Sequence, residues 1–221
     1  MERTVDCDVV IPCRDEALAL PLVLDGVPDG FRPIVVDNGS TDGTAGVARR
    51  LGATVVEEPR PGYGAAVHAG VLAASASYVA VVDGDDSMDL GELPTLLTAV
   101  RDDGVSMAVG RRRPIDRGVW PWHARVGTTL LAAWLRRSSG FEIHDLAPMR
   151  VCRRDDLLSL DVRDRRFGYP LELMIKAARS GWTVWEADIA YRPRAAGTRS
   201  KVSGSLRGTT QAARDFLAVL R

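Results

Sequence analysis

Residues 78–89 read YVAVVDGDDSMD. An apolar run of strand length, YVAVV (78–82), ends in four acidic residues within seven positions: Asp83, Asp85, Asp86 and Asp89. So continuous a run reads as a strand buried on both faces, as in a parallel sheet. Carboxylates this close repel one another, so positive charge should sit among them. A strand followed by Asp-x-Asp can present Asp83 and Asp85 on one side of a turn. Such a pair suits Mg²⁺ or Mn²⁺, which take oxygen ligands from one or two carboxylates and from substrate phosphates. The plain alternative is a surface turn in which Asp85, Asp86 or Ser87 caps the next helix.

The same pattern recurs outward from this stretch. VDCDVVI (5–11), PIVVD (33–37), ATVVEE (53–58) and VSMAVG (105–110) are further short strands. Helical signals fall between them: over 16–25, from a Ser40 or Thr41 cap to Leu51, over 65–76 and over 91–101. Pro21 must then sit in the first turn of its helix or kink it. Strands of this length separated by helices make βαβ units and a parallel sheet, which binds ligands at the carboxyl ends of its strands. Asp37, Asp83 and the 12–16 segment stand at such ends. The second half is less regular. Amphipathic helices are expected at 122–137 and 169–180, a strand at 182–191, a basic glycine-rich loop at 192–208 and a last amphipathic helix at 209–221.

At 221 residues the chain suffices for one domain with one sizeable core. Basic and acidic residues both number 29, so the charge balance gives no sign of a nucleic-acid partner, and none is expected. Lysine occurs only at 176 and 201, leaving 27 arginines, which suit planar contacts to phosphate or carboxylate. The three cysteines, Cys7, Cys13 and Cys152, are an odd number without CxxC spacing. They fit a reduced compartment and neither a zinc site nor a disulfide framework. With no signal peptide, and no apolar run near the roughly 18 residues that cross a bilayer, a cytoplasmic protein is expected. A place at the inner face of a membrane stays open.

Residue type supplies further candidates. Asp37 can bind a base N–H or two ribose hydroxyls through charge-assisted bonds. Asp15, Ser40 and Asp42 read as helix caps. Gly62-Tyr63-Gly64 permits a close backbone approach, to a ligand or within a tight loop. It is not the dinucleotide fingerprint, which disfavours a nicotinamide enzyme. Arg111, Arg112 and Arg113, after the fifth strand, can hold a phosphate or form a solvated basic surface. Arg125 and Thr129, four apart, share a helix face. Trp120, Trp122 and Trp134 suit core packing or the half-wet boundary of a membrane. Arg199 and Lys201 lie in a loop that can close as a lid or stay a disordered basic segment.

Taken in order, VIPCRDEA (10–17), VVDNGSTDGT (35–44), GYGAA (62–66), VVDGDD (81–86) and RPRAAGTRSKVSG (192–204) resemble family 2 glycosyltransferases of the GT-A fold. The nearest branch is that of dolichyl- and polyprenyl-phosphate sugar synthases. The resemblance runs from about residue 6 to about residue 208. It implies an α/β fold with a mostly parallel central sheet flanked by helices, in a single domain. Residues 5–110 would form its nucleotide-sugar half, 111–208 its acceptor half, and 209–221 a C-terminal amphipathic helix. It implies metal-dependent, inverting transfer from a nucleotide diphosphate sugar to a polyprenyl phosphate. By that resemblance Pro12, Glu16, Asp37 and Asp83 hold the nucleoside, and Asp85 with Asp83 holds Mg²⁺ or Mn²⁺. Arg112, Arg125, Thr129 and Glu172 face the acceptor, and Arg199 and Lys201 close on the diphosphate.

A phosphate monoester is already ionised near neutral pH, with a second pKa of about 6. A hydroxyl acceptor would need a general base, for which the resemblance points to Asp145 in EIHDLAPMR. The chain departs from the family pattern at several points. Asp15 stands for Asn, Thr129 for Ser, and DLAPMR for Asp-x-x-Ser-Gly-Phe, and no membrane span follows. These departures leave a small soluble hydroxyl acceptor as the alternative. A sugar nucleotidyltransferase would show a glycine-rich basic loop after the first strand, where IPCRDEA stands. A silent nucleotide-binding protein would have lost Asp85 or the 199–201 loop.

Overall fold

The computed structural model describes residues 5–116, 118–146, 148–195, 214–216 and 218–219. Seven strands form one sheet: β1 Cys7–Cys13, β2 Phe31–Asp37, β3 Thr54–Glu57, β4 Tyr78–Val81, β5 Met107–Pro114, β6 Met149–Arg153 and β7 Val184–Tyr191. Their order is β3-β2-β1-β4-β6-β5-β7. All neighbours run parallel except β6, which lies antiparallel between β4 and β5. The helices are α1 Leu20–Asp25, α2 Thr44–Arg50, α3 Tyr63–Ala73, α4 Leu93–Arg101, α5 Trp122–Ser139, α6 Arg154–Ser159 and α7 Tyr169–Arg179.

Side chains alternate across each strand, so each strand feeds two cores. Val10, Val36, Val79, Val81 and Val109 pack on one face with residues of α3 and α7. Val9, Ile11, Val35, Ala80 and Ala108 pack on the other with residues of α1 and α4. This three-layer arrangement is the α/β fold expected from the continuous apolar runs. Cys7, Cys13 and Cys152 are free and buried within it.

Several local expectations are corrected. The first helix, expected from residue 16, starts only at Leu20, which puts Pro21 in its first turn as one of the two expected placements. Helix α2 starts at Thr44, and its cap is Gly43, in a left-handed conformation at φ +87°. Ser40 and Thr41 do not cap it. Ser40 Oγ accepts the Asp15 amide at 3.0 Å, and the Thr41 amide donates to Asp15 Oδ1 at 2.8 Å. Asp15 thus ties the loop after β1 to the loop after β2, and the cap of α1 is Ala19. Strand β6 is invisible in the sequence because MRVCR has an arginine at its second and last positions.

The Gly-Tyr-Gly stretch has a precise packing reason. A Cβ at Gly62 would lie 2.1 Å from the Arg165 carbonyl oxygen, and one at Gly64 would lie 2.5 Å from that of Asp164. The close approach is therefore to the chain's own 164–166 backbone, fastened by the Gly64 and Ala65 amides donating to Arg166 and Arg165.

One buried charge secures the sheet. Asp8 of β1 has no exposed side-chain surface and faces Arg32 of β2. It accepts from Arg32 Nε at 2.7 Å and Nη2 at 2.9 Å, and from the amides of Ser75 and Ala76 at 2.6 and 2.8 Å. Burial alone would raise its carboxyl; the guanidinium and the two amides outweigh it and hold the pKa below 3.8. The stabilisation is therefore complete above pH 3.8 and lost as pH falls through the depressed value. Asp8→Asn should cost about 3 kcal/mol in urea unfolding at neutral pH. The gap from wild type should narrow below the ordinary carboxylate range.

Candidate active site

The carboxyl ends of β1, β2 and β4 open on a cavity of about 490 Å³. One half is bordered by Pro12, Glu16, Asn38, Asp83 and Asp85, the other by Arg112, Trp120, Leu131, Arg150 and Phe167. The acidic turn after β4 forms one wall. A Cβ at Gly84 would lie 2.6 Å from Cys13 Sγ, so only glycine lets this turn close on the end of β1. Asp86 follows at φ +61°.

The positive charge demanded by the acids comes from the chain just after β7. Arg194 Nη1 lies 3.0 Å from Asp85 Oδ2, and Arg192 Nη2 lies 2.7 Å from Asp89 Oδ2. Their backbones are stitched together as well: the Arg192 amide donates to Ser87 O at 2.9 Å and the Ala195 amide to Asp85 O at 3.0 Å. Asp85 Oδ1 accepts the Ser87 amide at 3.0 Å. Ser87 thus closes a turn on Asp85, which is 3% exposed. Loss of water and then the Asp85 charge push the Asp83 carboxyl up to about 6, against the pull of Arg194, Arg112 and Arg150.

The donor set fits a hard divalent ion in part. Two carboxylates flank one glycine at the cavity wall, and among the described residues no third acidic, histidine or cysteine side chain joins them. Mg²⁺ and Mn²⁺ sites that share phosphates with a substrate need no more protein ligands than this.

On the opposite side, Arg112 and Asp145 form one unit. Arg112 Nε and Nη2 meet Asp145 Oδ2 and Oδ1 at 2.8 and 2.7 Å, and the Arg112 amide adds 3.1 Å. Asp145 is 1% exposed, so both of its oxygens are committed. The guanidinium also stacks on Trp120, 3.9 Å from the ring centre. Of the arginine triplet, only Arg112 faces the cavity, because β5 continues through it. Arg111 and Arg113 point the other way and share Asp188 at 2.9 and 2.8 Å.

Other sequence candidates are placed differently. Asp37 ends β2 but lies outside the lining, its Oδ1 accepting the Ser40 amide at 3.1 Å. Arg125 and Thr129 do share a face of α5, but an exposed one, with Thr129 Oγ1 donating to Arg125 O at 2.9 Å. The lining face carries Ala124, Gly127, Thr128 and Leu131, a rotation of roughly 100°. Glu172 turns to the loop before α7, accepting the amides of Arg163 and Asp164 at 3.0 and 2.6 Å and pairing with Lys176 at 3.1 Å. Arg199 and Lys201 lie outside the described residues.

Comparison with known proteins decides the family. Residues 8–153 match the family described as Glycosyl transferase family 2. The chain belongs to this family. It is 56% identical over 212 residues, 96% of each chain, to an uncharacterized glycosyltransferase of Mycobacterium tuberculosis. It is 33% identical over 198 residues to a dolichyl-phosphate hexose transferase of Haloferax volcanii, covering 88% of this chain and 86% of that one. Among solved structures, glucosyl-3-phosphoglycerate synthase from Mycobacterium tuberculosis, in complex with Mn²⁺, UDP and glucosyl-3-phosphoglycerate, superposes with a TM-score of 0.77. It is 26% identical, over 99% of this chain and 79% of that one.

In this glycosyltransferase, sequence reasoning missed Arg194, Arg150 and Asn38. Arg194 carried a signal: RPR (192–194) sets two cations two residues apart just after a predicted strand, where an acid cluster elsewhere in the chain calls for positive charge. Asn38 looked like a plain turn residue. Its amide instead clasps the 58–62 loop, donating to Glu58 O and Arg60 O at 2.9 and 2.7 Å and accepting the Gly62 amide at 2.8 Å.

The Arg112–Asp145 unit gives a direct test. Asp145→Asn leaves a partly buried arginine unpaired, which costs about 3 kcal/mol. Differential scanning calorimetry should show a melting temperature lower by about 5–10 °C. An unchanged melting temperature would mean that Asp145 does not hold Arg112.

Proposed function

We propose that this glycosyltransferase moves a sugar from a nucleoside diphosphate sugar to a phosphate monoester, with polyprenyl phosphate as the acceptor, and inverts the anomeric carbon. One observation carries the acceptor class. Among the described residues, the acceptor half of the cavity is lined by arginines, aromatic and aliphatic side chains and no carboxylate. Asp145, the candidate base, is already bound on both oxygens. A hydroxyl nucleophile would need a base there; a phosphate monoester is anionic already.

In this reading Pro12, Glu16 and Asp83 hold the nucleoside, and Asp37, which ends β2 outside the lining, is kept on the family motif alone. Asp85 and Asp83 hold Mg²⁺ or Mn²⁺, which when bound offsets charge on the departing diphosphate. Arg194 supplies positive charge beside the same acids. Arg112, fixed by Asp145 and Trp120, faces the acceptor. Arg199 and Lys201 are assigned to closing over the diphosphate, on the motif alone. Arg125, Thr129 and Glu172 stand outside the cavity lining and are given no acceptor contact there. A small soluble acceptor that attacks through a hydroxyl, and so needs a base other than the committed Asp145, is the second reading, favoured by the fold shared with a synthase crystallised with glucosyl-3-phosphoglycerate.

The polyprenyl reading also draws on the outer face of α5. Trp122, Val126, Leu130 and Trp134 recur there every four residues at 77, 49, 65 and 41% exposure. The helix carries Arg125, Arg136 and Arg137 and no acid. Such a face suits an anionic membrane surface. No helix among the described residues is long and apolar enough to cross a membrane.

The deciding assay follows diphosphate release from a panel of nucleotide sugars with Mn²⁺ or Mg²⁺, with polyprenyl phosphate or 3-phosphoglycerate as acceptor. Stimulation by polyprenyl phosphate is expected; stimulation by phosphoglycerate alone supports the second reading, and by neither sinks both. Asp85→Ala should lower turnover at least 100-fold and abolish metal-dependent UDP binding. In sedimentation with anionic vesicles, Leu130→Glu should bind at least fivefold more weakly than wild type.

A further inference from the structure

Arg150 lies on β6, in register with Val81 of β4 and Val109 of β5. It is 2% exposed, yet it lines the cavity. Its hydrogen bonding is sparse. Nη2 reaches Tyr63 Oη at 3.4 Å, and Nε has no hydrogen-bond partner among the described residues. No carboxylate comes within ion-pairing distance of it among the described residues.

The neighbouring arginines differ. Arg112 is held by Asp145 and Arg194 by Asp85; Arg14 stands exposed at the rim. Arginine cannot shed its proton to escape burial. A buried cation whose nearest compensation is the more distant Asp83 carboxylate, with no direct ion pair, is costly unless a ligand completes it. The same cavity is bordered by apolar Leu146, Pro148, Phe167 and Pro170. Tyr63 is itself braced edge-on by Tyr169, ring centres 6.5 Å apart. A fixed guanidinium in the cavity wall, with donors to spare, is built for a planar or tetrahedral oxyanion.

We propose that Arg150, with the Tyr63 hydroxyl beside it, is the seat of the acceptor's phosphate, apart from the acid turn that faces the donor. This rests on the phosphate-acceptor reading above. Arg112 then frames the entrance, its charge already answered by Asp145. The apolar side chains bordering the cavity accommodate what the phosphate is attached to. Because Val81 faces Arg150 and lies two residues before Asp83, an anion held there sits next to the acid turn. A nucleophile in that place is close to a sugar whose diphosphate rests on the turn.

The test is isothermal titration of wild type, Arg150→Gln and Arg150→Lys with farnesyl phosphate and with 3-phosphoglycerate, each with and without UDP and Mn²⁺. UDP with Mn²⁺ is titrated separately. Arg150→Gln should weaken the phosphate probe that wild type binds by at least tenfold and leave UDP affinity within threefold. Arg150→Lys, which restores the charge without the fork, should fall between. Melting temperature should hold or rise in Arg150→Gln, because a buried charge with no direct ion pair is removed; a fall of several degrees would mark a structural role and overturn the assignment. Equal loss of UDP affinity would assign Arg150 to the donor, and unchanged phosphate affinity would leave it no ligand role; both overturn the inference. Wild type that binds UDP but neither phosphate probe also overturns it while sparing the donor site. Wild type that binds phosphate but no nucleotide sinks the donor reading alone.

Discussion

Two carboxylates on either side of Gly84, held against the end of β1, are the arrangement on which this cavity depends. Their mutual repulsion would open the turn if nothing opposed it. The chain opposes it from far away in sequence: the segment after β7 returns beside the turn and lays Arg192 and Arg194 against Asp89 and Asp85. The last strand and the middle of the chain are thereby joined where ligands bind. The sheet supplies the foundation. With β6 inserted antiparallel between β4 and β5, Arg150 lies on the strand next to β4, and Arg112 on the strand beyond it.

Positive and negative groups are distributed unevenly across the cavity. The half near β1 and β4 holds carboxylates; the half near β5, β6 and α5 holds guanidinium groups among aromatic and aliphatic side chains. A donor that brings its own cation suits the first half, and an acceptor that brings its own negative charge suits the second. Bound Asp145 and outward-turned Glu172 both remove acids from the acceptor half, which makes the division sharper than composition suggests.

Much of the fold was legible because the parallel strands are continuous apolar runs ending in acids, and sheets of this type bind ligands at those ends. Asp83, Asp85 and the 12–16 segment stood out by position at strand ends, whereas Arg112 was singled out from its triplet only through the family resemblance. What stayed hidden depends on direction within an element. Residues 111–113 looked like a terminal cluster until β5 continued through them and alternation sent only Arg112 inward. On α5, a choice between adjacent helical faces separated Arg125 and Thr129 from Ala124 and Thr128. Arg150 was concealed in a short strand whose arginines mask its pattern. The glycines at 62 and 64 were noticed for the right reason, a close approach, while its partner was a distant stretch of the same backbone.

The Arg194–Asp85 pair has a consequence for the order of events. The free protein already answers the Asp85 charge internally. If Asp85 holds a divalent ion as proposed, an ion arriving alone would have to displace a resident guanidinium, whereas one arriving chelated to phosphates would offer Arg194 a new anion. On that reading the wall would favour a metal–nucleotide complex over the bare metal.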